Sequence, residues 1–288
     1  MPEGSETGAL TPGRRLGLVL GGGGIAGIAW HTGVLLGLAE SGVDLTVADR
    51  IVGTSAGATV AVQIGAGRPV RDLFDRQVDP ASLATELTPG LSVADLWEQM
   101  VPIYTESADE DERRRRLGRL ALGAATVDVA VRRDVIAARL GGLGWSGQRV
   151  SVVVVDASTG ERRVFDGTSG VDVVDAVAAS CAVPGVWPPV TIDGAPYMDG
   201  GTWSLTNSDL ASGCSRVVVL APLSDGAMHA GLAGLGAGVS STVIAPDDAS
   251  LEAFGADVLD PAVREPSARA GLAQGRLEAA RLAPLLAD

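Results

Sequence analysis

Ser55 stands at the centre of Gly53-Thr54-Ser55-Ala56-Gly57, after the short run Arg50-Ile51-Val52 and before an Ala/Val-rich stretch from Ala58 to Ile64. This is the G-x-S-x-G pattern in strand–turn–helix order, the spacing of a nucleophile elbow. A serine that attacks a carbonyl must project its hydroxyl from a sharp, strained turn. Crowded backbone on both sides of that turn calls for small residues, met here by Gly53 and Gly57. The helix that follows would point its N-terminal N–H groups and positive dipole end at the place where an oxyanion forms. The competing reading is a glycine-rich turn with a capping serine.

A second segment has the same order of elements. Leu16 to Leu20 reads as a buried strand and runs into Gly21-Gly22-Gly23-Gly24-Ile25-Ala26-Gly27, then an apolar helix from Ile28 to Glu40. Four consecutive glycines can turn several backbone N–H groups toward one point, a nest suited to a phosphate or a tetrahedral oxyanion. Gly22, Gly24 and Gly27 also satisfy G-x-G-x-x-G, the dinucleotide fingerprint, with Asp44 and Asp49 as acidic partners near the required spacing. A phosphate- or dinucleotide-binding module is therefore an alternative. Against it, the next strand ends in the serine elbow. No lysine follows the glycines, which excludes a Walker loop.

A third segment is Tyr197-Met198-Asp199-Gly200-Gly201, after a hairpin whose turn is Asp193-Gly194. It sets the Asp199 carboxylate on a tight loop with little bulk beside it. The plain reading is turn formation.

Together these segments resemble the patatin-like phospholipase family. The resemblance extends to Asp156-Ala157-Ser158-Thr159-Gly160 and to Ala179–Gly185, covers the chain from about Leu16 onward, and is weakest over roughly 70–148. It implies a three-layer α/β sandwich with a mostly parallel central sheet and helices on both faces. It implies a serine–aspartate dyad with Ser55 as nucleophile and Asp199 as base, Gly200 beside it, and an oxyanion hole from the backbone of Gly22, Gly23 and Gly24. The expected activity is hydrolysis of carboxylic esters in a lipid or lysophospholipid, without metal or cofactor. The chain departs from the family where Arg or Lys usually adjoins the last glycine of the loop, for Ile25 and Ala26 stand there. A patatin fold without catalysis is thus a further alternative.

A dyad also suits the residue inventory, since the chain has two histidines. His31 falls in the first helix, where a helix-face or capping role is expected. His229 completes the order Ser55, Asp199, His229 of an α/β-hydrolase triad, a second enzyme reading. That reading needs a firmly held His229, and Ala227 to Gly238 reads as a loose Gly/Ala stretch. An aspartate within hydrogen-bond reach of the hydroxyl, in a partly dry site, can serve as base.

The elements that position these residues fit one large domain. The chain has 288 residues, 46% hydrophobic and 20% charged, enough for one α/β core. Mean hydropathy is +0.27, yet no apolar run approaches the roughly 20 residues that span a bilayer. Residues 1–15 read as a flexible tail with no apolar signal core, and 16–288 as the domain. A cytoplasmic protein with at most peripheral membrane contact is expected. Net charge is −13, which disfavours nucleic acid and anionic bilayers. Every basic residue is arginine, and the run Arg113–Arg116 reads as local ion pairs with Glu106 to Glu112 on a solvated helix. Cys181 and Cys214 match no metal spacing and read as packed free thiols. No His/Asp/Glu cluster suggests a metal site. Residues 79–146, helical and interrupted by prolines, read as a helical insertion or a lid. The last stretch, Pro261 to Leu286, reads as an amphipathic helix with Leu272, Leu277, Leu282 and Leu285–286 on its apolar side.

Overall fold

The computed structural model describes residues 15–79, 86–87, 90 and 93–286. All of the expected tail except Arg15 lies outside them. An eight-stranded sheet forms the middle layer. Its strands are Leu16–Leu20 (β1), Arg50–Thr54 (β2), Val150–Asp156 (β3), Arg162–Phe165 (β4), Val190–Ile192 (β5), Ala195–Asp199 (β6), Arg216–Leu220 (β7) and Ser240–Ile244 (β8). The order is β5-β6-β3-β2-β1-β7-β8, with β4 also paired to β3. The run β8-β7-β1-β2-β3 is parallel, while β4, β5 and β6 add antiparallel pairs. The inner parallel strands β7, β1, β2 and β3 are covered on both sides and read as nearly continuous apolar runs rather than alternating, whereas the edge strand β8 is partly exposed.

The two faces bury different residues of the same strands. Leu18, Leu20, Ile51, Val152 and Val154 face Gly24–Glu40 (α1), Ala56–Gly65 (α2) and Val173–Ser180 (α7) in the main core. Val19, Val52, Val153, Val217 and Val219 face the other way, against Met228 and Leu232. These two residues belong to Gly226–Gly234 (α8 in chain order). The expected three-layer α/β sandwich is what the chain forms.

Helix Val70–Val78 (α3) precedes the segment expected as an insertion, and Val93–Glu106 (α4), Glu110–Gly123 (α5) and Val129–Leu140 (α6) lie within it. Residues 80–85, 88–89 and 91–92 within it lie outside the described ones. Leu117 and Ala121 of α5 pack on Val155, Ala157 and Met198, next to the end of β6. The Arg113–Arg116 run makes the expected pairs with Glu106, Glu110, Asp111 and Glu112. Arg114 is not solvated, however: it is buried and stacks 4.0 Å from the ring centre of Trp203.

Two expectations about the C-terminal half need correction. The loose stretch around His229 is α8, capped by Asp225, which accepts from the Met228 N–H at 2.8 Å. A further helix, Asp248–Phe254 (α9), is capped in the same way by Asp247. In the last helix, Arg264–Leu286 (α10), Leu272 and Leu282 pack on the main core as read, but Leu277 is 76% exposed. The contact of α10 with α1 is made by small residues. A methyl on Gly271 or Gly275 would run into the Trp30 or Val34 carbonyl of α1, and one on Gly33 or Gly37 of α1 into the carbonyls of Ala268 or Leu272. Backbones in such close approach leave no large-residue periodicity to read. The Leu285 and Leu286 side chains lie outside the described residues.

Candidate active site

Parallel neighbours β1 and β2 end at the same sheet edge, which brings the glycine loop and the serine elbow together. Thr54 pairs with Val153, and Val154 pairs with Asp199. Neighbouring residues of β3 therefore set Ser55 and Asp199 at the same level, and a hydrogen bond between the two side chains joins them.

Ser55 has φ 53° and ψ −116°, in the positive-φ region that costs a side-chain-bearing residue of order 1–3 kcal/mol. Backbone crowding enforces this turn. A methyl on Gly57 would run into the Leu20 carbonyl, and one on Gly53 would lie 2.6 Å from Ala58 Cα. The Gly57 N–H donates to the Gly21 carbonyl at 3.1 Å, tying the elbow to the glycine loop. The Ser55 N–H donates to Ser180 Oγ at 2.9 Å, and that hydroxyl donates to the Val153 carbonyl at 2.7 Å. The Cys181 thiol donates to the Ser55 carbonyl at 3.3 Å. Ser180 and Cys181 thus hold both backbone polar groups of Ser55, a role that no spacing in the sequence marks.

Asp199 is buried, with 5% of its surface exposed. Burial raises its pKa to about 6, against the lowering effect of hydrogen bonds from the Ser55 side chain and the Gly201 N–H. The latter measures 2.7 Å to Oδ1. Gly200 must lack a side chain, since a methyl there would strike the Val153 carbonyl. Asn207, with φ 52°, ties this loop to the elbow strand: its amide donates to Thr54 Oγ1 at 3.1 Å and to the Ser204 and Gly200 carbonyls at 2.7 and 3.3 Å. Nothing in the sequence singled out Asn207.

The glycine loop packs beside the nucleophile, with Gly22 placed so that a methyl on it would lie 3.5 Å from Ser55 Cβ. Its amides are not equivalent. The Gly21 N–H donates to the Leu220 carbonyl at 3.0 Å and the Gly22 N–H to the Leu205 carbonyl at 2.8 Å. The expected oxyanion donor Gly22 is thus engaged within the protein, which leaves Gly23 and Gly24, at the start of α1, as the loop's candidates. Gly27 closes the first turn, donating to the Gly23 carbonyl at 2.7 Å. His31, fully buried, donates through Nε2 to the Gly21 carbonyl at 2.9 Å. Burial lowers its pKa to about 4, so it is neutral at physiological pH. It anchors the loop rather than capping a helix.

Two other readings do not fit this geometry. His229 is exposed on α8, and Ser55 meets the carboxylate of Asp199 directly, with no histidine between. The dinucleotide reading needs an acid at the carboxyl end of a strand beside the glycine loop. Asp49 instead precedes β2 and accepts from the Leu16 N–H at 2.7 Å, at the opposite edge of the sheet, while Asp44 is taken by Thr46. Among the described residues no group of His, Cys, Asp and Glu could hold a metal ion, and Cys181 and Cys214 are free buried thiols.

A family model described as patatin-like phospholipase matches residues 18–210. The match ends before β7. Two solved structures are similar to the chain. One is VipD from Legionella pneumophila, 15% identical with a TM-score of 0.40, covering 84% of this chain and 53% of that one. The other is the type III effector protein ExoU, 16% identical with a TM-score of 0.41, covering 94% of this chain and 54% of that one. The chain spans about half the length of either.

Proposed function

This chain belongs to the patatin-like phospholipase family, a family of lipid acyl hydrolases, and we propose that it cleaves carboxylic ester bonds in a lipid or lysophospholipid with a Ser55–Asp199 dyad. The observation that carries the reading is the contact between a strained serine and a buried aspartate whose pKa is raised to about 6. A base poised near neutral pH is ionised at pH 7 and still able to take a proton. Ser55 Oγ attacks the ester carbonyl as Asp199 takes its proton. The oxyanion accepts from the amides of Gly23 and Gly24, with the positive end of α1 behind them. Collapse returns that proton to the departing alkoxide and leaves an acyl-serine. Asp199 then deprotonates water, which releases the acid and restores Ser55. No step requires a metal or a cofactor.

Access to a lipid is supported by α4, where Trp97, Val101 and Tyr104 recur at helical spacing and are all exposed. No helix among the described residues is long and apolar enough to cross a membrane, so contact with a bilayer would be peripheral. Two free buried thiols accord with a cytoplasmic setting. The test is hydrolysis of a lysophospholipid and of a short-chain p-nitrophenyl ester by purified protein. Turnover that disappears in Ser55→Ala supports the reading. A folded wild-type protein with no turnover on either substrate would favour a catalytically silent patatin fold.

A further inference from the structure

Arg162 opens β4, opposite Val155 of β3. Its guanidinium forks onto Asp209: Nη1 donates to Oδ1 at 2.8 Å and Nη2 to Oδ2 at 2.6 Å. Two bonds from one planar group fix its orientation as well as its position. The Trp203 ring lies 5.0 Å from the guanidinium carbon, a stacking contact that uses the face of the group and leaves its edge N–H groups for acceptors. Nη1 donates a second time, to Asn207 Oδ1 at 3.1 Å. An arginine only donates, so this contact holds the oxygen end of the Asn207 amide. The nitrogen end is thereby turned to Thr54 Oγ1 at 3.1 Å and to the Gly200 and Ser204 carbonyls at 3.3 and 2.7 Å.

Thr54 precedes Ser55, and Gly200 follows Asp199. One amide therefore bonds the neighbours of both members of the pair, from a fully buried position. The fork that aims it is more open, with side-chain exposures of 18% for Arg162 and 43% for Asp209. An ion pair so open contributes little to stability. What it supplies is a fixed direction for the amide.

We propose that Arg162, held by Asp209, is a positioning residue for the Ser55–Asp199 pair, setting the distance between serine and carboxylate through the Asn207 amide. The inference rests on the dyad reading and extends it to a residue of β4 that no motif marks. The Asp199 pKa is set by burial, the Ser55 side chain and the Gly201 N–H. Arg162 acts on that carboxyl through geometry. A longer Ser55–Asp199 contact weakens a hydrogen bond that favours the ionised form, so the pKa moves up. Cys181, which feels the Asp199 charge, is a buried thiol with a raised pKa and stays neutral over this range.

The test compares wild type with Arg162→Gln, Arg162→Lys and Asn207→Gly, the last removing the amide at a positive φ that glycine adopts freely. Hydrolysis of a short-chain p-nitrophenyl ester is followed across a pH series, and Asp199 is titrated by carboxyl-carbon NMR, assigned against Asp199→Asn. In Arg162→Gln, kcat should fall by about 10²-fold, the cost of roughly 1 Å of misplacement, with KM unchanged. The midpoint of the kcat/KM profile and the NMR pKa should both rise above the wild-type value of about 6. Arg162→Lys keeps the charge and loses the fork, so its rate should fall as well. Combining Arg162→Gln with Asn207→Gly should slow the enzyme no further than Asn207→Gly alone, because the arginine acts through the amide. If Arg162→Gln does not fold, Arg162→Lys carries the same comparison. A full rate in Arg162→Lys, or a lowered Tm with an unmoved pH midpoint in the folded variants, overturns the proposal. Should the wild type show no turnover, the hydrolase reading falls and the NMR titration decides alone: a raised Asp199 pKa in the variant keeps the positioning role, and an unmoved one removes it.

Discussion

Ser55 is held through its backbone, and Asp199 through its carboxylate and its burial. On the serine side, the turn is closed by glycines whose neighbours leave no room for a methyl, and by hydrogen bonds to both of its backbone polar groups. On the aspartate side, the carboxylate sits at the end of an antiparallel strand and is fixed by the Ser55 side chain and the Gly201 N–H. The first arrangement cannot be altered without moving the sheet edge. The second can be altered atom by atom. Fold and chemistry should therefore separate on mutation, and do so differently on the two sides.

The largest effect is expected on the serine side. Gly57→Ala drives a methyl into the Leu20 carbonyl and should cost at or above about 3 kcal/mol, the upper range for overpacking. Denaturant unfolding should show a lowered midpoint, with activity lost along with the fold. Ser55→Ala, by contrast, removes only the hydroxyl and relieves nothing in the backbone. Its kcat should fall by at least about 10³-fold with near-unchanged circular dichroism.

On the aspartate side, Asp199→Asn should lower kcat almost as far, yet raise stability at alkaline pH. The folded pKa of about 6 lies above the usual 3.8. The stability tied to the protonated carboxyl is then fully present below about pH 3.8 and lost as pH rises through about 6. The ionised form is the costly one at pH 8, so Asn should raise Tm there and not at pH 4. Activity of the wild type should run the opposite way, rising with pH through about 6 as the base ionises. Equal Tm gains at both pH values would mean that the carboxylate is not destabilised by burial.

A smaller effect links the two sides. Ser180→Ala strips the acceptor from the Ser55 N–H and leaves it buried and unpaired, at a cost of about 1–3 kcal/mol. Calorimetric unfolding should detect that loss, with kcat reduced far less than in Ser55→Ala. His229→Ala, on the exposed face of α8, should change neither quantity.

The contrast also explains what could be read in the sequence. The elbow and the glycine loop are local: a strand, a turn and a helix within some ten residues each, so Gly53, Ser55 and Gly57 stand out, as does the parallel sheet that their flanking strands form. Asp199 was visible through its Asp-Gly-Gly turn, and strand β1 lies at the expected residues. What was not legible depends on partners far along the chain. Ser180 serves Ser55 across 125 positions and Asn207 serves Thr54 across 153. The Gly22 amide is claimed by Leu205, which no local pattern announces. The α1–α10 contact is carried by glycines, which give no hydrophobic period, and α8 was hidden because its Gly and Ala content masks the Asp225 cap.

The direct pairing of Ser55 with Asp199 is most directly tested by covalent labelling with a fluorophosphonate, followed by peptide mass mapping across a pH series. The account predicts a single adduct on Ser55, formed at a rate that rises with pH through about 6. That rate should be lost in Asp199→Asn and kept in His229→Ala. An adduct on another residue, or labelling that survives Asp199→Asn and fails in His229→Ala, would contradict it.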